Sequence, residues 1–241
     1  MPLDIVGVIL ILLFCAVAVG VPAVWYLRAP GGRWLLTAHI LWFVTVALLA
    51  VTGALSSRPD LGAPVFGLAI AASIAVLLAL AGAVPPARRA LGTIPLPALI
   101  ALNVIRVGGF LFLLLFAAGR LSAPFAPSAG WGDIITGVAA PPVAWALAGG
   151  ARHARGLVLA WNSFGLLDLL VASSLGMTSA LGSPLQLFFQ SPGSAAMATW
   201  PWALIPAFLV PQLIVQHLAV YWRLPLRRDR AAVATPAPIQ S

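Results

Sequence analysis

Residues 155–176, RGLVLAWNSFGLLDLLVASSLG, decide the fold, because after Arg155 they form an apolar run long enough to cross a membrane. A transmembrane helix needs about 20 consecutive, mostly apolar residues. The run contains one carboxylate, Asp168, with no polar neighbour in sequence. A charge at the bilayer centre costs about 2.5–3.5 kcal/mol even on the lenient insertion scale. We therefore expect Asp168 to face protein or water inside a helix bundle.

The composition is that of a polytopic membrane protein, with 62% hydrophobic and 7% charged residues. All basic residues are arginine and all acidic residues are aspartate. The absence of lysine and glutamate excludes a Schiff-base lysine, a P-loop and an HExxH zinc protease. The single cysteine, Cys15, allows no internal disulfide and no CxxC metal site.

Six further apolar runs of membrane-spanning length accompany residues 156–178, separated by segments rich in helix breakers, arginine or small polar residues. They predict an all-α, seven-helix transmembrane bundle in a single domain, residues 1–222. A basic, disordered cytoplasmic tail, residues 223–241, is expected to follow. The predicted spans are approximately residues 3–26, 34–55, 62–84, 97–118, 131–149, 156–178 and 200–222.

Arginine placement predicts the orientation, because cytoplasmic loops accumulate basic residues. With seven spans, Arg58 and Arg120 fall on one side of the membrane and ten arginines on the other. The N-terminus is therefore expected outside and the C-terminus in the cytoplasm. Residues 1–4, MPLD, lack the basic start of a signal peptide, so we interpret the first span as an uncleaved helix. The ten arginines are Arg28, Arg33, Arg88, Arg89, Arg152, Arg155, Arg223, Arg227, Arg228 and Arg230.

The basic residues also predict the partners of the chain. Because the arginines are scattered between apolar spans, the net charge of +8 indicates membrane topology and not nucleic-acid binding. The tail is expected to contact anionic lipid. Abundant Arg, Ala, Gly and Pro without lysine is typical of a GC-rich bacterial genome, so we expect the bacterial inner membrane. The sequence does not indicate an oligomeric state.

Arg106 is the one arginine inside a predicted span, and it is a candidate partner for Asp168. At about 1.5 Å per residue, Arg106 lies about 14 Å and Asp168 about 18 Å from the same side of the membrane. Asn103 shares the helix face of Arg106, and Asn162 shares that of Asp168. These four residues predict a polar pocket for a small molecule or ion. A purely structural role, in which the charged pair fixes helix packing, is an equal alternative.

Asp133 opens the predicted fifth span, near Arg120 of the preceding loop. One interpretation is a carboxylate in the first helical turn, favoured by the helix dipole. The other is a binding residue or gate at the outer mouth of the pocket.

Two histidines suggest a different class of site. His39 and His217 each lie about five residues from the cytoplasmic end of a predicted span. Two histidines at equal depth are what axial haem ligands would require. Gln212 and Gln216 beside His217 indicate ordinary helix contacts instead, so no cofactor or metal is our main expectation.

Three sequence blocks resemble a family of uncharacterised bacterial polytopic integral membrane proteins. They are RVGGFLFLLLFAAGRL, FAPSAGWGDIITGVAAPPVA and WNSFGLLDLLVASSLG, in that order, within residues 100–180. The resemblance matches the family arginine to Arg106, its Gly-Asp to Gly132 and Asp133, and its Trp-Asn and Asp to Trp161, Asn162 and Asp168. It implies a multi-pass membrane protein and no particular reaction.

The leading functional hypothesis is that the protein binds or moves a small solute or proton between spans four, five and six. Arg106 would hold an anionic group or tune Asp168, the asparagines would add neutral hydrogen bonds, and Asp133 would lie near the mouth. A non-transporting assembly or accessory subunit is the alternative, and a bis-histidine haem redox protein is the third. An enzyme is least favoured, because no nucleophile and base occur at a recognisable spacing.

Overall fold

The computed structural model describes residues 2–56, 71–76, 78–79, 82 and 84–233. Within these described residues, all regular secondary structure is helical. The first part contains α1 (Pro2–Tyr26), α2 (Gly32–Val51) and α3 (Pro85–Thr93). The second part contains α4 (Leu96–Leu102), a 3-10 segment (Asn103–Gly109), α5 (Phe110–Ala117), α6 (Phe125–Ala148) and α7 (Ala154–Thr178). The last part contains a short 3-10 turn (Ala195–Ala198), a π-helical turn (Ile205–Leu209) and α8 (Val210–Val233).

Five helical runs in the described residues are long and apolar enough to cross a membrane, which confirms a multi-pass membrane protein. They correspond to five of the seven predicted spans. The predicted span at residues 62–84 lies mostly outside the described residues. The five runs are Pro2–Tyr26, Gly32–Val51, Leu96–Ala117, Ala154–Thr178 and Ile205–Leu224.

Helix α6, which contains the predicted span at residues 131–149, has membrane-spanning length but is not among these five. One face of α6 is buried against other helices. Eleven of its 24 residues are buried in the protein, whereas three of the 20 residues of α2 are. Helix α6 packs against the 3-10 segment, α5 and α7. A face that packs on other helices needs no apolar surface for lipid, so glycine and threonine are tolerated there. The opposite face of α6 exposes Trp131, Ile135, Val138 and Trp145.

The ends of two elements differ from the sequence predictions. Helix α6 begins at Phe125, six residues before the predicted start of its span. Pro127 lies in its first turn, where a missing backbone N–H breaks no helical hydrogen bond. Helix α8 continues past Arg223 to Val233, so this part of the predicted disordered tail is helical.

A polar layer crosses the bundle between two clusters of buried apolar side chains. Asp133 in α6, Asp168 in α7 and His217 in α8 all fall between members of the two clusters along their helices. Burying polar groups between apolar layers is costly unless they pair with one another. The cluster members that bracket the layer are Ala129 and Ala140 in α6, Trp161 and Leu169 in α7, and Ile214 and Val220 in α8.

Candidate functional site

The 3-10 segment Asn103–Gly109 presents Arg106 to the polar layer. A 3-10 helix has three residues per turn, so Asn103, Arg106 and Gly109 lie on one line along its surface. All three are buried. Asn103 and Arg106 therefore share one face, as the sequence predicts, and that face is buried in the protein.

Glycines allow α6 to approach this segment closely. A methyl group added to Gly137 would lie 2.5 Å from the backbone nitrogen of Val107, and one added to Gly109 would lie 2.6 Å from the carbonyl oxygen of Gly130. Small residues at helix contacts let backbones approach in this way. The close approach brings Asp133 of α6 next to Arg106.

The Arg106 guanidinium pairs with two carboxylates from two different helices. Its Nε donates to Asp133 Oδ1 at 2.7 Å, and its Nη2 donates to Asp168 Oδ2 at 2.5 Å. Its Nη1 donates to the carbonyl oxygen of Gly165 at 3.0 Å. The side chain of Arg106 is 1% exposed. Charge-assisted hydrogen bonds of this kind are about twice as strong as neutral ones.

His217 completes the network, and its contacts define its protonation state. Nη1 of Arg106 lies 3.0 Å from His217 Nε2. Because arginine only donates, Nε2 must accept and therefore carries no proton. His217 Nδ1 lies 2.8 Å from Asn162 Oδ1 and donates to it, while Asn162 Nδ2 donates to the His217 carbonyl at 3.0 Å. His217 is thus neutral. We call Arg106, Asp133, Asp168, Asn162 and His217 the Arg106 cluster.

Neighbouring residues pack tightly around the Arg106 cluster. Trp161 packs its ring against His217, with centroids 5.3 Å apart, and donates its indole N–H to the Thr136 carbonyl at 3.0 Å. A methyl group added to Gly165 would lie 2.6 Å from the His217 ring, and one added to Gly132 would collide with the Asp168 carboxylate. The two glycines are therefore needed to seat the polar side chains.

The charges within the Arg106 cluster do not balance when both carboxylates are ionised. Two aspartates face one guanidinium, and His217 is neutral, so one negative charge is in excess. Two carboxylates that share one arginine favour a shared proton or an added cation, because like charges in a buried site repel.

A cavity of about 300 Å³ reaches the cluster at Asp133. We call it the large cavity. Asp133 is the one charged side chain among its described lining residues, and hydroxyls of serine and threonine supply the other polar side-chain groups. Ligand pockets of small molecules begin at about this size and are mostly apolar with a few polar groups. The apolar wall includes Phe112, Phe125, Leu169, Met177 and Ile205.

The structure brings together most, but not all, of the sequence-predicted site. Asp168 lies against Arg106, and Asn162 is connected to Arg106 through His217. Asn103 is buried but donates to the Leu99 carbonyl of the preceding helix α4, and it makes no hydrogen bond within the cluster. The binding role of these residues stays a prediction.

The expected neighbourhood of Asp133 was wrong. Helix α6 begins eight residues before Asp133, so this carboxylate lies more than two turns inside the helix and not in its first turn. It pairs with Arg106, whereas Arg120 pairs with Asp4 at 2.6 Å.

The two histidines of the haem alternative lie in different surroundings. Both ring nitrogens of His217 are already hydrogen-bonded, to Arg106 and Asn162. His39 lies against the rings of Tyr26, Trp42 and Phe208. Within the described part of the chain, no three His, Cys, Asp or Glu side chains are grouped to hold a metal ion.

Sequence reasoning missed His217 and Gly165 as members of the site. A signal for Gly165 was present, because it lies three residues before Asp168 and therefore on the same face of α7. No comparable signal existed for His217, since its contact with Arg106 depends on how α8 is rotated in the bundle.

Comparison with known proteins supplies a family but no activity. No curated protein and no solved structure matches the chain. A family model described as a domain of unknown function (DUF8737) matches residues 63–225, which include the whole Arg106 cluster and the three sequence blocks quoted above. Since this match covers more than half of the 241 residues, the chain belongs to the DUF8737 family.

Proposed function

We propose that this protein is a seven-helix membrane protein that binds a small, positively charged solute or a proton beside Asp133. Helix α6 and residues 62–84 would supply the two spans beyond the five identified by length and composition. The arginine distribution supports an N-terminus outside and a C-terminus in the cytoplasm of a bacterial inner membrane.

The observation that carries the binding proposal is the uneven charge of the Arg106 cluster at the wall of a cavity. Asp133 and Asp168 both pair with Arg106, and Asp133 also lines the large cavity. In a low-dielectric site, an unbalanced carboxylate attracts a cation or a proton far more strongly than in water.

The same geometry disfavours an anionic ligand, although Arg106 alone would suggest one. Nε and Nη2 of Arg106 donate to carboxylates, and Nη1 donates to Gly165 and contacts His217. These contacts use four of the five guanidinium N–H groups, so an anion would find one N–H of Nη2 and would meet two carboxylates. The apolar wall of the large cavity favours a solute whose uncharged part is apolar.

The π-helical turn Ile205–Leu209 adds a structural reason to locate the ligand in the large cavity. Ile205 and Pro206 of this turn line the cavity. Single π-helical turns occur frequently at functional sites, because they redirect side chains and free backbone carbonyls.

Native mass spectrometry of the full chain, extracted with its own lipids, tests the proposal. We expect the wild type to carry a small cationic molecule, and Asp133→Asn to lose it. Asp4→Asn is the matched control, since it also neutralises one aspartate of an ion pair with arginine, away from the large cavity. The control should keep the molecule.

A wild-type spectrum with only protein and lipid would contradict binding of a small solute. The proton alternative then requires that Asp133→Asn changes the number of protons taken up between acidic and neutral pH, whereas Asp4→Asn leaves that difference in place. A second polypeptide at fixed stoichiometry, kept by Asp133→Asn, would support the assembly alternative instead.

A further inference from the structure

A second, smaller cavity lies at the opposite end of α2 from the large cavity. It has a volume of about 50 Å³ and is lined by residues of α1, α2, α3, α4 and α8 and by Ile94, which follows α3. In α2 it contacts Leu35 and His39, whereas the large cavity contacts Leu55 and Ser56 just beyond the other end of that helix. We call it the small cavity.

The lining of the small cavity contains buried polar atoms without a hydrogen-bond partner. They are His39 Nε2, both amide atoms of Gln212, and Gln216 Oε1. Gln212 is only 4% exposed. The Gln212 amide lies next to the His39 ring. However, neither His39 Nε2 nor either Gln212 amide atom meets the distance and angle limits of a direct hydrogen bond.

Four unpaired polar atoms around one small cavity need an explanation. A buried donor or acceptor without a partner costs about 1–3 kcal/mol. Native proteins therefore satisfy most such groups, with water where no side chain reaches. An apolar residue in place of Gln212 would avoid the cost, so the glutamine implies a partner within the cavity.

The chemistry and size of the small cavity define that partner. The Gln212 amide offers both a donor and an acceptor, and Gln216 Oε1 offers an acceptor, so the ligand must donate and accept. No described lining residue carries a formal charge, which favours a neutral ligand. At about 30 Å³ per water molecule, the cavity accommodates about two.

We propose that the small cavity is a hydration site in which two water molecules join His39 of α2 to Gln212 and Gln216 of α8. The waters satisfy the four polar atoms and connect α8 to α2 by hydrogen bonds. This site is separate from the Arg106 cluster, and it does not depend on the ligand proposed for the large cavity.

X-ray footprinting of the full chain in water enriched in oxygen-18 tests the hydration directly. Radicals formed from bound water label the side chains next to it. Ile94 lines the small cavity and is 2% exposed, whereas Ile11 is 0% exposed and lines neither cavity described above. Because both residues are isoleucine, intrinsic reactivity cancels in the comparison.

We expect several-fold more oxygen-18 on Ile94 than on Ile11, and loss of that excess in Gln212→Met with Gln216→Met. Equal labelling of Ile94 and Ile11 in the wild type would overturn the proposal. Gln190→Met, at an exposed glutamine outside both cavities, is the control and should keep the excess.

The thermal stability of Gln212→Met alone gives a second, independent measurement. If water satisfies the amide, its removal lowers the unfolding temperature. If the cavity is dry, methionine relieves two unpaired polar groups, and the unfolding temperature rises. A rise would contradict the hydration site even where the double variant fails to fold.

Discussion

Arg106 and Arg120 make the same kind of ion pair in very different surroundings. The side chain of Arg106 is 1% exposed and pairs with two aspartates, whereas that of Arg120 is 35% exposed and pairs with Asp4, itself 39% exposed. Solvent can replace a lost partner at Arg120 but not at Arg106. Surroundings, and not the number of hydrogen bonds, should therefore decide what each arginine contributes to stability.

The largest expected effect is that of Arg106→Leu. It leaves Asp133 and Asp168 buried without a counter-charge, and breaking a buried pair from one side costs about 3–5 kcal/mol. We expect most of the variant to be lost from the monodisperse peak in size-exclusion chromatography. Arg120→Leu is the control and should elute as the wild type does. Equal recovery of both variants would show that burial does not separate the two arginines.

Asn162→Leu should have the next largest effect. Asn162 accepts from His217 Nδ1 and donates to the His217 carbonyl. Leucine therefore leaves the buried Nδ1–H unpaired and removes one of two hydrogen bonds to a carbonyl that keeps its helical bond within α8. A buried unpaired donor costs about 1–3 kcal/mol. The unfolding temperature should fall clearly. Ser163→Leu is the control at the neighbouring, exposed position of α7, and it should shift that temperature less. A larger shift in the control would mean that Asn162 does not orient His217.

Gly165→Ala tests how closely the cluster is packed. The added methyl group would lie 2.6 Å from the His217 ring and 2.8 Å from Thr136. Forcing a methyl group into a packed core costs about 1–3 kcal/mol. Gly156→Ala, in the same helix but with nothing within 4 Å of the added group, should instead stabilise by about 1 kcal/mol through helix propensity. Thermal unfolding of the pair should therefore shift in opposite directions.

The sequence predicted those parts of the site that depend on one helix at a time. Apolar runs predicted the five long, apolar helical runs that the structure contains. The energetic cost of an intramembrane charge predicted a partner for Asp168. The similar depth of Arg106, the one arginine inside a predicted span, then indicated it as that partner, and the structure has it against Asp168.

What the sequence did not predict depends on helix ends and rotations. The predicted span began after Pro127, although proline fits the first turn of a helix. The predicted start of the helix was therefore six residues too late, and Asp133 was expected in its first turn. The contact of His217 with Arg106 requires one particular rotation of α8, which arises from packing and leaves no periodic signal in an apolar helix.

The Arg120–Asp4 pair is expected to contribute least to stability. Measuring its contribution is the sharpest test of the difference between Arg120 and Arg106. Arg120 lies 5.7 Å from the centroid of the Trp202 ring, and Trp202 donates its indole N–H to Asp4 at 3.0 Å. The pair therefore has more partners than a simple surface ion pair, yet it stays accessible to solvent. Exposed pairs measured by double-mutant cycles contribute about 0.2–1 kcal/mol.

A double-mutant cycle of Asp4→Asn and Arg120→Gln should give a coupling energy within that range, and added salt should reduce it, because salt screens exposed charges. The equivalent cycle of Asp133→Asn and Arg106→Gln should give a larger coupling energy that salt leaves nearly unchanged. If the two coupling energies were equal and equally sensitive to salt, water would reach Arg106 as freely as Arg120. The excess charge of the Arg106 cluster would then be screened, and the reason to expect a bound cation beside Asp133 would disappear.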